Sequence, residues 1–218
     1  MFYLKKRNEC EEPLIINLDG VPTTETPIPS ASDIDYWKLR NNRTFFIDYE
    51  IAEDYSLIEL SKSITRMNIE ELDIPQDELE PIYIWIHSYG GDIEQALYFC
   101  DLIKSSRIPI ITIGMGACMS AGFLIFLAGS KRYAFRHTQM LAHSGSAGFQ
   151  GTAEQIEEAQ KNYKKQIESM KAYILENTNI DEKTFNKNKN KDWYISENYL
   201  EEYGICKIID KFEDIYLD

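Results

Sequence analysis

The sequence predicts an α/β fold, on three observations. From Arg43 onward, apolar runs of strand length alternate with amphipathic or buried helical segments. Several of those strands are apolar almost throughout, the pattern of a parallel sheet covered on both faces. With 218 residues, 44% hydrophobic and 27% charged, the chain has the composition of a globular protein and is long enough for one α/β domain with a real core.

The elements follow in order. Residues 1–41 read as an N-terminal arm or extension and 42–218 as the folded domain. Within the arm, the apolar patch Leu14-Ile-Ile-Asn-Leu18 is a candidate strand. Residues 20–33 are rich in Pro, Ser and Thr and lack any period, which predicts an extended arm or loop. Residues 44–49 form a strand, and 54–68 an amphipathic helix with Leu57, Ile58, Leu60, Ile64 and Met67 on one face. The apolar strand 82–87 leads into the turn Ser88-Tyr-Gly-Gly-Asp92, and Asp92 caps a helix running to about Ser105. Pro109 opens a buried strand at 110–113. Ser120 then caps a short apolar helix ending near Gly129, and strands follow at 132–135 and 140–142. Thr152-Ala-Glu-Gln155 is a capping box opening a long helix to about Asn177. Its apolar stripe (Ile156, Ala159, Tyr163, Ile167, Met170, Tyr173, Ile174) suits either a helix projecting toward a partner subunit or a solvated surface helix. Ser196 caps a last helix that stops at Gly204, and 205–209 is a closing strand.

Charge and cysteine usage exclude several function classes. A net charge of −13 argues against nucleic acid and against anionic membrane surfaces as partners. The four cysteines are scattered, with no C-x-x-C pair and no adjacent histidine, so neither a disulfide framework nor a metal site is expected. The N-terminus lacks the apolar core of a signal peptide, and the longest apolar run, about eight residues, is well short of the roughly 20 that span a bilayer. A cytosolic protein is the expectation.

Ser120 is the residue most suggestive of chemistry. At a helix start, backbone N–H groups and the helix dipole favour negative charge, the setting an acyl-transfer enzyme needs for its nucleophile and oxyanion. A lone serine there is ordinarily just an N-cap. Of the three histidines (His87, His137 and His143), His143 is the best candidate base, because it leaves a strand end for the loop Ser144-Gly-Ser-Ala-Gly148. Gly90-Gly91 comes after the strand 82–87 and before a helix. A bare turn explains it, but such a turn can also aim N–H groups into a cleft at the sheet's C-terminal edge. It matches neither G-x-G-x-x-G nor a Walker loop. Asp192, after the basic stretch 183–191, is a candidate third member, though composition does not single it out. The G-x-S-x-G elbow is absent, since Cys118 stands where its first glycine would be. Cys118 is a rival nucleophile on paper, with no nearby cation to activate it.

Taken together, four blocks are specific: Ile86-His-Ser-Tyr-Gly-Gly91; Met119-Ser-Ala-Gly-Phe-Leu124 ending in Ala128-Gly129; Met140-Leu-Ala-His143 followed by Gly148-Phe-Gln-Gly151; and Asp192-Trp-Tyr-Ile-Ser196 leading to Glu202-Tyr-Gly204. From about Arg43 to Asp210 the chain resembles the proteolytic subunit of the Clp protease (ClpP), a serine peptidase. The resemblance implies a spiral of repeated β-β-α units, as in ClpP and crotonases, with residues 152–177 as a protruding handle helix. It implies Ser120 as nucleophile, His143 as general base and Asp192 as its orienting carboxylate. The backbone N–H groups of Gly91 and Ala121 would form the oxyanion hole. No metal or organic cofactor is implied. Peptide or protein substrates would be cut through an acyl-enzyme inside a chamber of two stacked heptamers.

The chain departs from the family at Tyr89, where a proline is usual, and at His143-Ser-Gly145, where His-Gln-Pro is usual. These positions bear on cleavage preference more than on the triad. The N-terminal residues do not match the family's short axial loops. The partner expected is therefore either a ring ATPase unfoldase or, for a divergent phage-type relative, a dedicated substrate such as a head-assembly protein. Two rival functions stand beside the peptidase: a crotonase-fold acyl-CoA enzyme, which would place carboxylates at the chemistry, and a non-catalytic ring scaffold.

Overall fold

A computed structural model of the protein describes residues 29–52 and 57–216. The candidate strand at 14–18 and the arm up to residue 28 lie outside the described residues. The chain runs α1 (Ala31–Asn41), β1 (Thr44–Ile47), α2 (Ile58–Glu70), β2 (Ile82–Ser88), α3 (Ile93–Ser105), β3 (Ile110–Met119) and α4 (Ala121–Ala128). There follow β4 (Lys131–Phe135), β5 (Gln139–Ala142), α5 (Ala153–Glu176), α6 (Glu182–Asn188), β6 (Trp193–Ile195), β7 (Lys207–Ile209) and α7 (Glu213–Tyr216).

The sheet is parallel along β1-β2-β3-β4-β7 and carries a branch. The first part of β3 pairs with β4 (Ile111↔Lys131 to Gly114↔Ala134), and its last part pairs with β5 (Ala117↔Gln139 to Met119↔Leu141). Between them the β2–β3 register shifts, from Ile86↔Gly114 to Ser88↔Cys118. At this bulge Gly116 has φ 71°, and a Cβ there would lie 2.5 Å from Nδ1 of His87. One long strand thus serves two sheet segments, which turns the parallel layer into a spiral.

One face of the sheet is buried beneath helices. Ile47, Ile82, Ile84 and Ile86 pack with Phe99 of α3 and with Phe123 and Phe126 of α4, all essentially inaccessible. All eight residues of α4 are buried, each large side chain contributing about 1.5–3 kcal/mol. Thr112 pins α4 by donating its hydroxyl to the Phe126 carbonyl at 2.7 Å. The guanidinium of Arg132 ties down three chain ends, donating to the carbonyls of Leu127, Asn177 and Gly204 at 3.0, 2.9 and 2.7 Å.

Several expectations are corrected. The second face of the sheet lacks a helical layer among the described residues. Trp85, Ile111, Ile113, Tyr133, Ile209 and Ile215 bury one another there with only the four-residue α7 above them. Aromatic packing substitutes: Trp85 lies 6.1 Å from Phe46, 6.2 Å from Phe135 and 5.5 Å from Phe212 between ring centroids. Residues 30–33 are not extended, because Ser30 and Asp33 form a capping box that starts α1. Ser196 makes no side-chain cap; a single 3₁₀ turn at Glu197–Tyr199 replaces the expected helix. α6, capped by Asp181, covers most of the basic stretch 183–191, to which the sequence reading assigned no element. In α5, which begins and ends at the expected caps, only Met170 and Ile174 of the stripe are buried, so its N-terminal half stands largely clear of the core.

Candidate active site

Strand pairing brings the three candidate residues to one edge. Ser120 directly follows β3, whose last pair is Met119↔Leu141. His143 directly follows β5, whose final residue Ala142 is paired antiparallel with Trp193. Asp192 directly precedes Trp193, so it enters the same edge from the opposite direction. The Gly90-Gly91 turn leaves the C-terminal end of the neighbouring β2, the edge at which open α/β sheets present ligand sites.

Ser120 is not the N-cap the sequence suggested. It occupies the position before α4 but makes no side-chain cap, and its φ of 53° with ψ −121° is a backbone conformation non-glycine residues rarely adopt. Such strain costs on the order of 1–3 kcal/mol and persists only where the surroundings enforce it. Here the Ser120 N–H donates to the Leu141 carbonyl at 2.9 Å, and its own carbonyl accepts from Phe123 and Leu124 at 3.0 and 3.2 Å. The tight strand-to-helix turn leaves the hydroxyl free for another partner. That partner is Nε2 of His143, 2.7 Å from Ser120 Oγ. On the far side of the ring, Nδ1 lies 3.3 Å from Oδ1 of Asp192. The His143 side chain is 27% exposed and that of Asp192 65%.

The glycine turn is pressed against the serine. A Cβ on Gly90 (φ 108°) would lie 2.6 Å from Ser120 Cβ, and one on Gly91 (φ 141°) would lie 1.9 Å from the Ile51 carbonyl oxygen. Ser88 braces the turn from beneath, donating its hydroxyl to the Tyr49 carbonyl at 2.7 Å and accepting the Gly90 N–H at 3.2 Å. Among the described residues neither the Gly91 nor the Ala121 N–H has a hydrogen-bond partner. Ala121 is the first residue of α4, so its N–H adds to the positive end of that helix.

The loop after His143 is held at two points that sequence reasoning did not identify. The Ser144 hydroxyl donates to the carbonyl of Lys189, three residues before Asp192. Tyr163 of α5 donates its hydroxyl to the Ser144 carbonyl at 3.0 Å. One residue beside the base is therefore tied both to the segment carrying Asp192 and to the long helix.

The other candidates fall away. Cys118 is buried, its thiol lies against the Ile86 carbonyl, and burial pushes its pKa far above the usual thiol range. His87 is engaged by the β3 bulge, with Nδ1 2.9 Å from the Met115 carbonyl and 3.1 Å from the Ala117 N–H. His137 sits exposed in the turn between β4 and β5 and is not part of the cleft lining. No cluster of three or more His, Cys, Asp or Glu that could hold a metal ion occurs among the described residues, and none of their helices is long and apolar enough to cross a membrane.

Ser120 and His143 open into a cleft of about 600 Å³ between the glycine turn, the 144–149 loop and α5. Leu124 and Met170, both buried, are among its lining. Comparison with known proteins converges on one family. A family model described as Clp protease matches residues 31–212, beginning with α1, inside the segment expected to be an extension. Curated relatives include ATP-dependent Clp protease proteolytic subunit 2 of Treponema denticola, 34% identical, with 82% of this chain and 87% of that protein covered. The corresponding subunit 2 of Treponema pallidum is 29% identical over 85% of this chain and 92% of its own length. Among solved structures, a point mutant of ClpP1 from Listeria monocytogenes superposes with a TM-score of 0.66 at 27% identity, covering 81% of this chain and 96% of that one.

Proposed function

The chain belongs to the Clp protease family, and on that premise we propose that it is a serine endopeptidase whose catalytic triad is Ser120, His143 and Asp192. The observation that carries the reading is the 2.7 Å contact from Ser120 Oγ to His143 Nε2, with Asp192 on the ring's other nitrogen. His143 takes the hydroxyl proton as Ser120 Oγ attacks the scissile carbonyl. Asp192 holds the tautomer in which Nδ1 carries the hydrogen and Nε2 accepts. The oxyanion forms between the Gly91 and Ala121 N–H groups, which the positive end of α4 reinforces; each such donor is worth about 10²–10³ in rate. His143 then gives the proton to the departing amine, completing the acyl-enzyme. A water deprotonated by the same imidazole releases the new carboxylate. No cofactor is required, and the serine–histidine pair differs from the carboxylate chemistry of the crotonase alternative.

The half-buried stripe on the N-terminal part of α5 (Ile156, Ala159, Tyr163, Ile167) supports self-association through that helix. By analogy with the family we propose that the chain forms stacked heptameric rings around the active sites. The relatives' names, proteolytic subunits of an ATP-dependent protease, support an ATPase partner that feeds in unfolded chains. Incubation with unfolded casein, read by mass spectrometry of new amino termini, tests the peptidase reading. Cleavage by the wild type and none by Ser120→Ala is expected. Identical products from both, or none from an assembled wild type supplied with its ATPase, would overturn it.

A further inference from the structure

Resting on the triad reading above, the cleft beside Ser120 also carries information about what it accepts. Its lining contains two carboxylates, Asp92 and Glu94, and no lysine or arginine among the described residues. Asp92 is committed to its own helix, its Oδ1 accepting the Gln95 N–H at 2.8 Å. Glu94 is different. It is exposed, near the start of α3, three residues beyond the oxyanion donor Gly91. One of its oxygens accepts from the side-chain amide of Gln166 on α5, joining the two walls of the cleft. No cation lies within ion-pair distance of it among the described residues. Apolar surface from Leu124, Met170 and Ile93 lines the same cleft.

We propose that Glu94, held in place by Gln166, selects substrates with lysine or arginine on the amino side of the cleaved bond. In this proposal the residue whose carbonyl sits at Ser120 and Gly91 places its side chain in the cleft that those two residues and Glu94 line together. A long aliphatic stem covers the apolar lining while its charged head meets the exposed Glu94 carboxylate. A leucine gains the lining alone, and a glutamate meets like charge. Glu94 thus acts as a specificity-determining residue that does not touch the reacting atoms.

The test uses the assembled protein and three peptidyl diphenyl phosphonates that differ only in bearing the lysine, leucine or glutamate side chain next to phosphorus. Each phosphonylates the serine with loss of phenol, and intact-mass kinetics give the rates. A small alkyl fluorophosphonate, without any such side chain, runs alongside. The lysine probe should react fastest and the glutamate probe slowest. In Glu94→Gln the lysine-to-leucine ratio should fall about two- to fivefold, the range for one exposed charge pair, and Glu94→Lys should favour the glutamate probe over the lysine probe. A faster leucine or glutamate probe on the wild type, or ratios that stay put in both variants, would overturn the selection. If the fluorophosphonate leaves the wild type unmodified, the triad reading fails and the selection falls with it. If it labels while the ratios stay put, the selection alone is wrong.

Discussion

Replacing Asp192 by alanine should slow acylation of Ser120 by about 10- to 100-fold, far less than removal of His143. The magnitude follows from exposure. A carboxylate 3.3 Å from Nδ1 of His143 but 65% exposed lies between the limits of bulk water and protein surface. In those limits unit charges about 4 Å apart interact by about 1 and about 4 kcal/mol. The intermediate, about 1.4–2.7 kcal/mol, converts to the stated range at about 1.4 kcal/mol per factor of ten. Water can also occupy the vacated position and accept from Nδ1, which a fully enclosed site would not allow. The assay is the second-order rate of fluorophosphonate modification at several salt concentrations. Wild-type rates should fall as salt rises, because the His143–Asp192 attraction is screened, and the Asp192→Ala rates should not. A change under twofold would remove Asp192 from the triad. A loss as complete as that of His143→Ala would refute the reasoning from exposure.

Ser144→Ala removes the tie from the base's loop to Lys189 and should lower the acylation rate about fivefold, consistent with one net hydrogen bond of about 1 kcal/mol, while leaving the melting temperature nearly unchanged. Restoration by Ser144→Thr in the same rate assay would distinguish positioning from general damage. Gly90→Ala forces a Cβ to within 2.6 Å of Ser120 Cβ at a φ of 108°, so labelling should fall at least 100-fold and thermal unfolding should shift down by several degrees. Burial pushes the Cys100 and Cys206 thiols up to about 12 and Cys118 higher still. Raised pKa values leave almost no thiolate at pH 8, so native protein should give no Ellman reaction from these three cysteines, and the reaction should appear on unfolding in guanidinium.

The helices α3 and α5 were legible because their start signals are local: Asp92 and Thr152-x-x-Gln155 each form the cap their spacing predicts. The apolar strands β2 and β3 were legible for the same reason, but the length of β3 was not. Its second part, through Gly114 and Gly116, carries no strand pattern of its own, and pairing with β5 makes it one. The role of Ser120 was half visible. Its place before an apolar helix could be read, whereas the positive φ that takes its hydroxyl out of capping depends on the Leu141 hydrogen bond, a contact 21 residues away. Asp192 had no local signal, since only the antiparallel pairing of Ala142 with Trp193 makes it His143's neighbour. The bare second face of the sheet was misread because aromatic side chains stacked on one another give the same apolar strand pattern as strands beneath a helix.

Mapping a fluorophosphonate adduct by peptide mass spectrometry tests the activation of Ser120 most directly, with Ser120→Ala and His143→Ala alongside the assembled wild type. One adduct per chain, on Ser120 and absent from both variants, is the expected result. A folded, assembled protein that takes no adduct, or takes it on another residue, would contradict the reading of this edge of the sheet as a serine peptidase site.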